Sequence, residues 1–298
     1  MSIKSTVRNV LKEARELADT ARFAFYGKHP RRGEIAAAYC RLRLREALSK
    51  GSHTSIALLG RQVQFADADN FSFVFSEIFI KECYRDCAVS PVTIIDCGSN
   101  VGMSILFFKS LWPDARITGI EASSETFAML KQNVGNLPGV TLVNRAVSDR
   151  RGMISFYAGS SSLTASTNAF RGGGKEMRVE AVPLSDFIDG PVDLLKIDIE
   201  GGEMAVFAEL EASGKLPLIH QLVIEYHHHL QGERGRFSSF LERLERCGFD
   251  YDLAAAMSWR PGRFQDILIR ARRSALAPIE SNASEVSARP EKTCSSPA

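Results

Sequence analysis

Through most of the first 90 residues, apolar residues recur at helical spacing, with one short alternating stretch between them. The helical spacing predicts two N-terminal helices separated by a Gly- and Pro-containing break, and a later helix whose aromatic stripe packs into the core. The alternating stretch around Gly60 favours a small hairpin. In chain order these elements are helix 4–26, helix 34–49, hairpin strands 56–59 and 62–65, and helix 71–84.

Beyond residue 90, short apolar runs alternate with helical stretches, and this order predicts an α/β fold with a mostly parallel sheet covered by helices on both faces. The predicted core strands are 92–95, 116–121, 140–146, 192–199 and 221–226, and the helices are 103–111, 123–134, 204–210 and 237–247. Weaker strand patterns lie at 152–157 and 177–182, around a Ser- and Gly-rich loop, and at 250–253 and 267–270, which would be antiparallel.

The composition bounds the class of protein. Of 298 residues, 45% are hydrophobic and 24% charged, as in a soluble globular protein. No apolar run reaches the roughly 18 residues that a membrane span requires, and the N-terminus leads into a charged helix instead of a signal sequence. Six cysteines lie scattered without a paired framework, which favours reduced thiols and a cytoplasmic location. We expect an N-terminal helical extension (1–57), a main domain (58–272) and a disordered tail (273–298).

The charge is unevenly distributed. Residues 1–50 hold twelve Lys or Arg against five Asp or Glu, a net charge of +7 within a chain whose total is only +2. The positive residues do not form one dense block, so we favour the solvated faces of ordinary helices, and no nucleic-acid partner is expected. Peripheral contact of residues 1–50 with an anionic surface stays open as the alternative.

The strongest motif is the strand–turn–helix segment that begins Val92-Thr-Ile-Ile-Asp-Cys-Gly-Ser-Asn-Val-Gly102. Such a turn holds a nucleotide-like ligand beyond the carboxyl end of a strand, and we expect Asp96, Gly98, Asn100 and Gly102 to bind it. The dinucleotide fingerprint G-x-G-x-x-G would require glycine at two positions where this chain has Asn100 and Met103, which counts against a pyrophosphate. An acidic residue at the strand end suits a cationic ligand, and S-adenosylmethionine fits.

Two later positions agree with an adenosine ligand. Glu121 ends the second strand, 23 residues after Gly98, where a carboxylate can accept hydrogen bonds from both ribose hydroxyls. This spacing occurs in NAD enzymes as well as in S-adenosylmethionine enzymes. Asp149 lies where an adenine edge would be read, and the backbone around Ala146 is the alternative for that contact.

The segment Leu-Leu-Lys196-Ile-Asp198-Ile-Glu200 places three ionisable residues on one face of a predicted core strand, where they must pair or act. Lys196 would neutralise a carboxylate. Asp198 and Glu200 would orient the methyl donor, act as a general base or bind a divalent ion. No third carboxylate or asparagine is clearly placed beside them, so no metal site is predicted and activity should survive EDTA.

Three consecutive histidines follow the fifth predicted strand. Strand alternation places His227 on the face of Glu225, at the carboxyl side of the sheet, where a histidine can take a proton near neutral pH. His227 is therefore a candidate catalytic residue. Adjacent side chains point apart, so a metal cluster built from all three histidines is not expected.

Together these residues resemble the FkbM family of S-adenosylmethionine-dependent methyltransferases over roughly residues 58–270. The motifs that carry the resemblance are Ile95-Asp-Cys-Gly-Ser-Asn-Val-Gly102, Gly119-Ile-Glu-Ala, Asn144-Arg-Ala-Val-Ser-Asp149 and, most specifically, Val192-Asp-Leu-Leu-Lys-Ile-Asp-Ile-Glu-Gly-Gly-Glu203. The resemblance implies a Rossmann-like class I methyltransferase fold: a seven-stranded sheet of order 3-2-1-4-5-7-6 whose seventh strand is antiparallel.

The resemblance also implies methyl transfer, commonly to a hydroxyl oxygen of a sugar, polysaccharide or secondary metabolite, so the expected partner is a small-molecule or glycan acceptor. Two alternatives stay open at this point. An NAD-dependent oxidoreductase is opposed by the missing glycines, and a non-catalytic module that binds S-adenosylmethionine is opposed by the intact acidic motifs.

Overall fold

The computed structural model of the chain describes residues 3–49, 54–87, 90–158, 175–230, 236–255 and 264–274. The Ser- and Gly-rich loop at 159–174, the segment 256–263 between the two predicted C-terminal strands, and the predicted tail from residue 275 lie outside these ranges.

The helices and strands follow the predicted order closely. The strands are β1 (Ser55–Leu58), β2 (Arg61–Gln64), β3 (Thr93–Cys97), β4 (Arg116–Glu121), β5 (Val140–Asn144), β6 (Ala146–Ser148), β7 (Gly152–Ala158), β8 (Lys175–Pro183), β9 (Val192–Ile197), β10 (Ile219–His228), β11 (Phe249–Ala255) and β12 (Gln265–Arg273). The α-helices are α1 (Ile3–Tyr26), α2 (Arg32–Ser49), α3 (Ala68–Phe75), α4 (Met103–Leu111), α5 (Ser124–Val134), α6 (Glu203–Ala212) and α7 (Phe237–Arg246).

Seven strands form the main sheet in the order β11-β12-β10-β9-β3-β4-β5. The strands from β10 to β5 pair in parallel, whereas β12 is antiparallel to both of its neighbours. Counted along the chain, this is the order 3-2-1-4-5-7-6 with an antiparallel seventh strand, which confirms the α/β, Rossmann-like class I methyltransferase fold.

Two hydrophobic clusters cover the two faces of this sheet. Alternate residues of a strand point to opposite faces, so Ile94 and Leu194 join one cluster while Ile95 and Leu195 join the other. The first cluster includes residues of α2 to α5, and the second includes residues of α6 and α7. The predicted helices on both faces are therefore present, and each side of the sheet has its own core.

The N-terminal helices belong to the first of these clusters. Ile35 and Leu42 of α2 are fully buried, and the ring of Tyr39 lies 5.3 Å from that of Phe75 in an edge-to-face arrangement. Among the helices in the described ranges, none is long and apolar enough to cross a membrane.

Two local predictions were wrong. The third strand does not continue to residue 146: β5 ends at Asn144, whose side-chain amide donates to the carbonyls of Glu121 and Ala122. The next residues form β6, which pairs with β8 in a separate three-stranded sheet. The predicted helix 71–84 is α3 followed by a π-helical turn, Ser76–Ile80. A π turn is wider than an α turn and often marks a functional site.

Candidate active site

A cavity of about 910 Å³ opens at the carboxyl ends of the parallel strands. In α/β sheets this edge is where ligands bind, and the volume lies in the range of small-molecule sites. One wall comes from the loops that follow β3, β4 and β9, and the opposite wall comes from α3 and the π-helical turn.

The loop after β3 is fixed tightly in place. The backbone N–H groups of Gly98 and Ser99 both donate to the carbonyl of Ile120, at 2.9 and 3.0 Å. Gly98 has a φ of +76°, and a Cβ there would lie 1.7 Å from the carbonyl oxygen of Asp198. Only glycine fits such a position, so Gly98 lets the β3 and β9 loops meet at the floor of the cavity.

Gly102, the other glycine of this loop that was predicted to bind the ligand, has a structural role. Gly102 has a φ of +94° directly before α4, and a Cβ there would meet Leu130 and Val134 of α5 at 3.0 Å. The cavity is lined by its neighbours Val101 and Met103.

Glu121 lies on the cavity wall and is held by two backbone groups. Its Oε2 accepts from the N–H of Asn100 at 3.0 Å, and its Oε1 accepts from the N–H of Ser123 at 2.9 Å. Burial raises the pKa of Glu121 to about 7, although these two N–H groups act in the opposite direction. Each carboxylate oxygen keeps a further lone pair that a ribose hydroxyl can reach. Asn100, itself at the cavity, thus contributes through its backbone to the orientation of Glu121.

Asp96 does not reach the cavity, contrary to the expected direct contact with a cationic ligand. It is fully buried, its Oδ2 accepts from the Ser104 hydroxyl at 2.6 Å, and its Oδ1 lies 3.0 Å from Lys196 Nζ. The reason is the register between neighbouring strands, which places Asp96 directly opposite Lys196. Asp96 therefore positions Lys196, which does line the cavity.

Lys196 connects the loops that follow the central strands. Its Nζ donates to the carbonyl of Gly98 at 3.2 Å and lies 3.4 Å from Asp198 Oδ2. Burial by itself lowers the pKa of Lys196, but the Asp96 and Asp198 carboxylates raise it above its ordinary value. The predicted pairing of Lys196 with a carboxylate is present, and it involves two carboxylates.

Asp198 and Glu200 both line the cavity, but they are not part of a continuing strand. β9 ends at Ile197, and the chain then turns sharply, with positive φ at Glu200 (+60°) and Gly201 (+119°). The turn brings both carboxylates towards His227: Glu200 Oε2 lies 3.2 Å and Asp198 Oδ1 lies 4.0 Å from its Nε2. Strand alternation predicted that the Asp198 and Glu200 side chains point the same way. They do, but because of the turn after β9 and not because the strand continues.

His227 is a residue of β10 and its side chain is completely buried. Its Nδ1 lies 2.7 Å from Oε1 of Glu203, a buried residue in the first turn of α6. Burial by itself lowers the pKa of His227, but the Glu203 and Glu200 carboxylates raise it well above its usual value. No role was predicted for Glu203 from the sequence, and this contact was missed.

Two further carboxylates at this end of the cavity were also missed. Glu225 of β10 is two residues before His227 on the same face of the strand, and Asp266 pairs directly with His227 across the β10–β12 ladder. The Asp198 charge, followed by burial, raises the pKa of Glu225 to about 8. The one acidic residue within the apolar run Gln221–Tyr226 was the available signal for Glu225.

Of the two predicted adenine contacts, one lies at the cavity and the other does not. Ala146 lines the cavity, together with Arg145 and Val147, whereas Asp149 is exposed and accepts from the Ser148 hydroxyl at 3.1 Å. Asp149 lies on the turn after β6, beyond the strand end, so it does not reach the cavity. The backbone around Ala146, the alternative that the sequence left open, is the part that faces it.

Comparison with known proteins agrees with this geometry. Residues 96–251 match the family model of the methyltransferase FkbM domain. "Methyltransferase 1" of Beauveria bassiana is 30% identical over 230 residues, which cover 68% of this chain and 90% of that protein. The chain belongs to the FkbM methyltransferase family. It is therefore a methyltransferase, and S-adenosylmethionine is its methyl donor.

Two further proteins that this chain is similar to carry the name FkbM. The 31-O-demethyl-FK506 methyltransferase FkbM of Streptomyces tacrolimicus is 28% identical over 206 residues, covering 56% of this chain and 79% of that protein. The crystal structure of a methyltransferase FkbM from Methylobacillus flagellatus KT gives a TM-score of 0.39 at 14% identity, covering 80% of this chain and 60% of that one. Membership of a methyltransferase family disfavours the oxidoreductase alternative.

Proposed function

We propose that this FkbM-family protein transfers the methyl group of S-adenosylmethionine to a hydroxyl oxygen of a small-molecule or glycan acceptor. The observation that carries the proposal is that two carboxylates from different strands line one cavity: Glu121 is the last residue of β4, and Asp198 follows the end of β9. When bound, S-adenosylmethionine supplies a methyl group on a cationic sulfur, the electrophile that a hydroxyl oxygen can attack.

Glu121 is the residue suited to the donor's ribose, because its carboxylate is already oriented by the backbone of Asn100 and Ser123. A group that is held before the ligand arrives loses little freedom on binding. Gly98 carries no side chain, so the loops after β3 and β9 meet at the floor of the cavity that Glu121 also lines.

Asp198 is the residue we assign to the acceptor's hydroxyl proton. It lines the cavity and its side chain is 24% exposed, whereas His227 is completely buried and does not line the cavity. Lys196, 3.4 Å from Asp198, keeps the carboxylate in position. A general base contributes typically about 10²- to 10⁴-fold, and alignment of the reacting atoms accounts for much of the remaining acceleration.

The wall opposite the strands favours an acceptor with an apolar body. It consists largely of Phe65, Phe71, Phe73, Val74 and Ile78. The name of the Streptomyces tacrolimicus relative places its methyl group on an oxygen, which also supports a hydroxyl acceptor here.

The test is methyl transfer from labelled S-adenosylmethionine to a panel of hydroxylated polyketides and oligosaccharides, each paired with its deoxy and amino analogue. We expect label in the hydroxyl compounds, as ethers identified by mass spectrometry. Label confined to the amino analogues would overturn the proposal of oxygen methylation.

The role of Asp198 has its own test. Asp198→Asn keeps the shape of the side chain and removes its charge, so kcat should fall by about 10²-fold or more. The matched control is Asp149→Asn, the same substitution at an exposed carboxylate that does not line the cavity, and it should leave kcat unchanged. Equal kcat values for wild type and Asp198→Asn would remove Asp198 from the chemistry.

A further inference from the structure

Three residues at one end of the cavity bring oxygen and nitrogen atoms to a common point. They are Asp198 and Glu200 from the turn after β9 and His227 from β10, here called the Asp–Glu–His cluster. One donor atom of each lies within 4.8 Å of the others. The set Glu225, His227 and Asp266 meets the same limit and shares the imidazole.

The tautomer of His227 follows from its buried neighbour. Glu203 Oε1 lies 2.7 Å from Nδ1 and also accepts from the N–H of Gly201 at 2.9 Å. A carboxylate only accepts, so Nδ1 carries the proton and donates to Glu203. In the neutral imidazole, Nε2 then presents a lone pair to the cluster.

That lone pair meets negative oxygen atoms. Nε2 is buried and, within the described ranges, has no hydrogen-bond partner, although Glu200 Oε2 lies 3.2 Å away. Asp266 Oδ1 and Asp198 Oδ1 follow at 3.8 and 4.0 Å. An acceptor nitrogen among carboxylate oxygens is unfavourable unless Nε2 carries a second proton or a metal ion takes the place of that proton.

The spacing suits a divalent cation. Ligand atoms about 2.0–2.3 Å from an ion lie roughly 3–4.5 Å from one another, depending on whether they are adjacent or opposite. The distances from Nε2 to the three carboxylate oxygens, 3.2–4.0 Å, fall in this interval. The carboxylate–histidine pair Glu203–His227 is also the arrangement that orients a metal-binding imidazole from behind.

We propose that the Asp–Glu–His cluster is a binding site for one divalent first-row metal ion, with Glu203 as the residue that positions His227. A donor set of one imidazole and carboxylates suits Mn²⁺, Fe²⁺, Co²⁺ or Zn²⁺ better than Mg²⁺. Two of its ligands line the cavity, so an ion there is open to an acceptor hydroxyl. This last point rests on the proposed function; the metal site does not.

The site changes one expectation from the sequence. Survival of activity in EDTA was expected because no third ligand was apparent beside Asp198 and Glu200. The structure supplies that ligand in His227, which the chain reaches through a different strand of the sheet. We now expect EDTA to lower the activity and Mn²⁺ to restore it.

Binding is measured without any acceptor, by titrating EDTA-treated and desalted full-length protein with MnCl₂ and recording the electron paramagnetic resonance signal of free Mn²⁺. The wild type should remove one Mn²⁺ per chain. Glu203→Gln should weaken binding by about 10- to 100-fold, and Asp198→Asn and His227→Gln at least as much. Glu77→Gln, on the opposite wall, is the control and should bind as the wild type does.

Each result separates the metal site from the proposed function. If the wild type binds no Mn²⁺, the proposed site is overturned. A second proton on His227 Nε2 would then explain why this nitrogen lies among carboxylate oxygens. Equal affinity in Asp198→Asn, His227→Gln and wild type would also overturn it. Hydroxyl methylation that survives EDTA in a wild type that binds no Mn²⁺ would leave the proposed function standing alone. Folding of each variant is checked by its S-adenosylmethionine affinity.

Discussion

Glu121 combines burial with a position at the ligand cavity, and the two properties make its ionisation sensitive to what binds. Without ligand, burial raises its pKa to about 7, so the carboxylic acid and the carboxylate are both populated near neutral pH. Ribose hydroxyls donate more strongly to a carboxylate than to a neutral acid. Binding of the donor should therefore favour the ionised form.

The consequence is a pH-dependent affinity. In the protein without ligand, the pKa of Glu121 lies above its ordinary value of 4.5. The neutral acid therefore predominates below pH 7, and Glu121 must lose its proton when the donor binds. Affinity for S-adenosylmethionine should rise about three- to tenfold from pH 6 to pH 8, given the difference between charged and neutral hydrogen bonds. Calorimetry across this range measures it. Glu121→Gln has no proton to lose, so a rise of the same size in that variant would assign the effect to another group.

At the residue scale, the sequence indicated ligand residues better than it indicated their partners. Glu121 was recognisable from its place at a strand end. The partner of Asp96 was not, because the pairing with Lys196 depends on the register of β3 against β9, which lie about 100 residues apart in the chain. The same holds for Glu203, whose contact with His227 joins α6 to β10.

At the element scale, Gly98 is the point where two loops must meet. A side chain at Gly98 would be unfavourable for two reasons: the backbone conformation is left-handed, and the side chain would clash with the Asp198 carbonyl. Gly60, in the β1–β2 turn, has nearly the same φ of +78° with no atom within 4 Å of an added Cβ, so it isolates the first effect.

We expect Gly60→Ala to cost about 1 kcal/mol of unfolding free energy and Gly98→Ala at least about 3 kcal/mol, with loss of donor binding. Denaturant unfolding of the two variants measures the difference. Equal losses would show that the Asp198 carbonyl does not constrain this loop.

Most elements were predictable because their patterns are local. Alternation and helical spacing are such patterns, and so are capping residues such as Ser123, whose hydroxyl accepts from the N–H of Thr126 at the start of α5. The exceptions depend on contacts distant in sequence. The third strand ends at Asn144, whose side-chain amide donates to the carbonyls of Glu121 and Ala122 at the end of β4. In the π-helical turn, the ring of Phe79 lies 5.3 Å from that of Phe107 in α4.

At the scale of the whole molecule, the N-terminal helices and the strand–helix core share one hydrophobic cluster. Phe75 lies at their junction, fully buried between Tyr39 of α2 and Phe79 of the π-helical turn. Phe73, in the same helix, is 58% exposed and faces the cavity. Substitutions of Phe75 and Phe73 therefore test two properties separately: the packing of the N-terminal helices on the core and the lining of the acceptor site.

Phe75→Ala should lower the free energy of unfolding by about 3–5 kcal/mol, because a large ring leaves the core. Phe73→Ala should change it by less than about 0.5 kcal/mol, as an exposed substitution, while raising KM for an apolar acceptor. Thermal and denaturant unfolding measure both. A small effect of Phe75→Ala would mean that the N-terminal helices pack only loosely on the core.

The central claim is that Glu121 holds the methyl donor while Asp198 serves the transfer. Calorimetric titration of S-adenosylmethionine into wild type, Glu121→Gln and Asp198→Asn tests it most directly. We predict one donor per chain, an affinity about tenfold or more weaker in Glu121→Gln, where a charged hydrogen-bond acceptor is lost, and an affinity close to wild type in Asp198→Asn. No heat from the wild type at millimolar ligand, or equal weakening in both variants, would contradict the account.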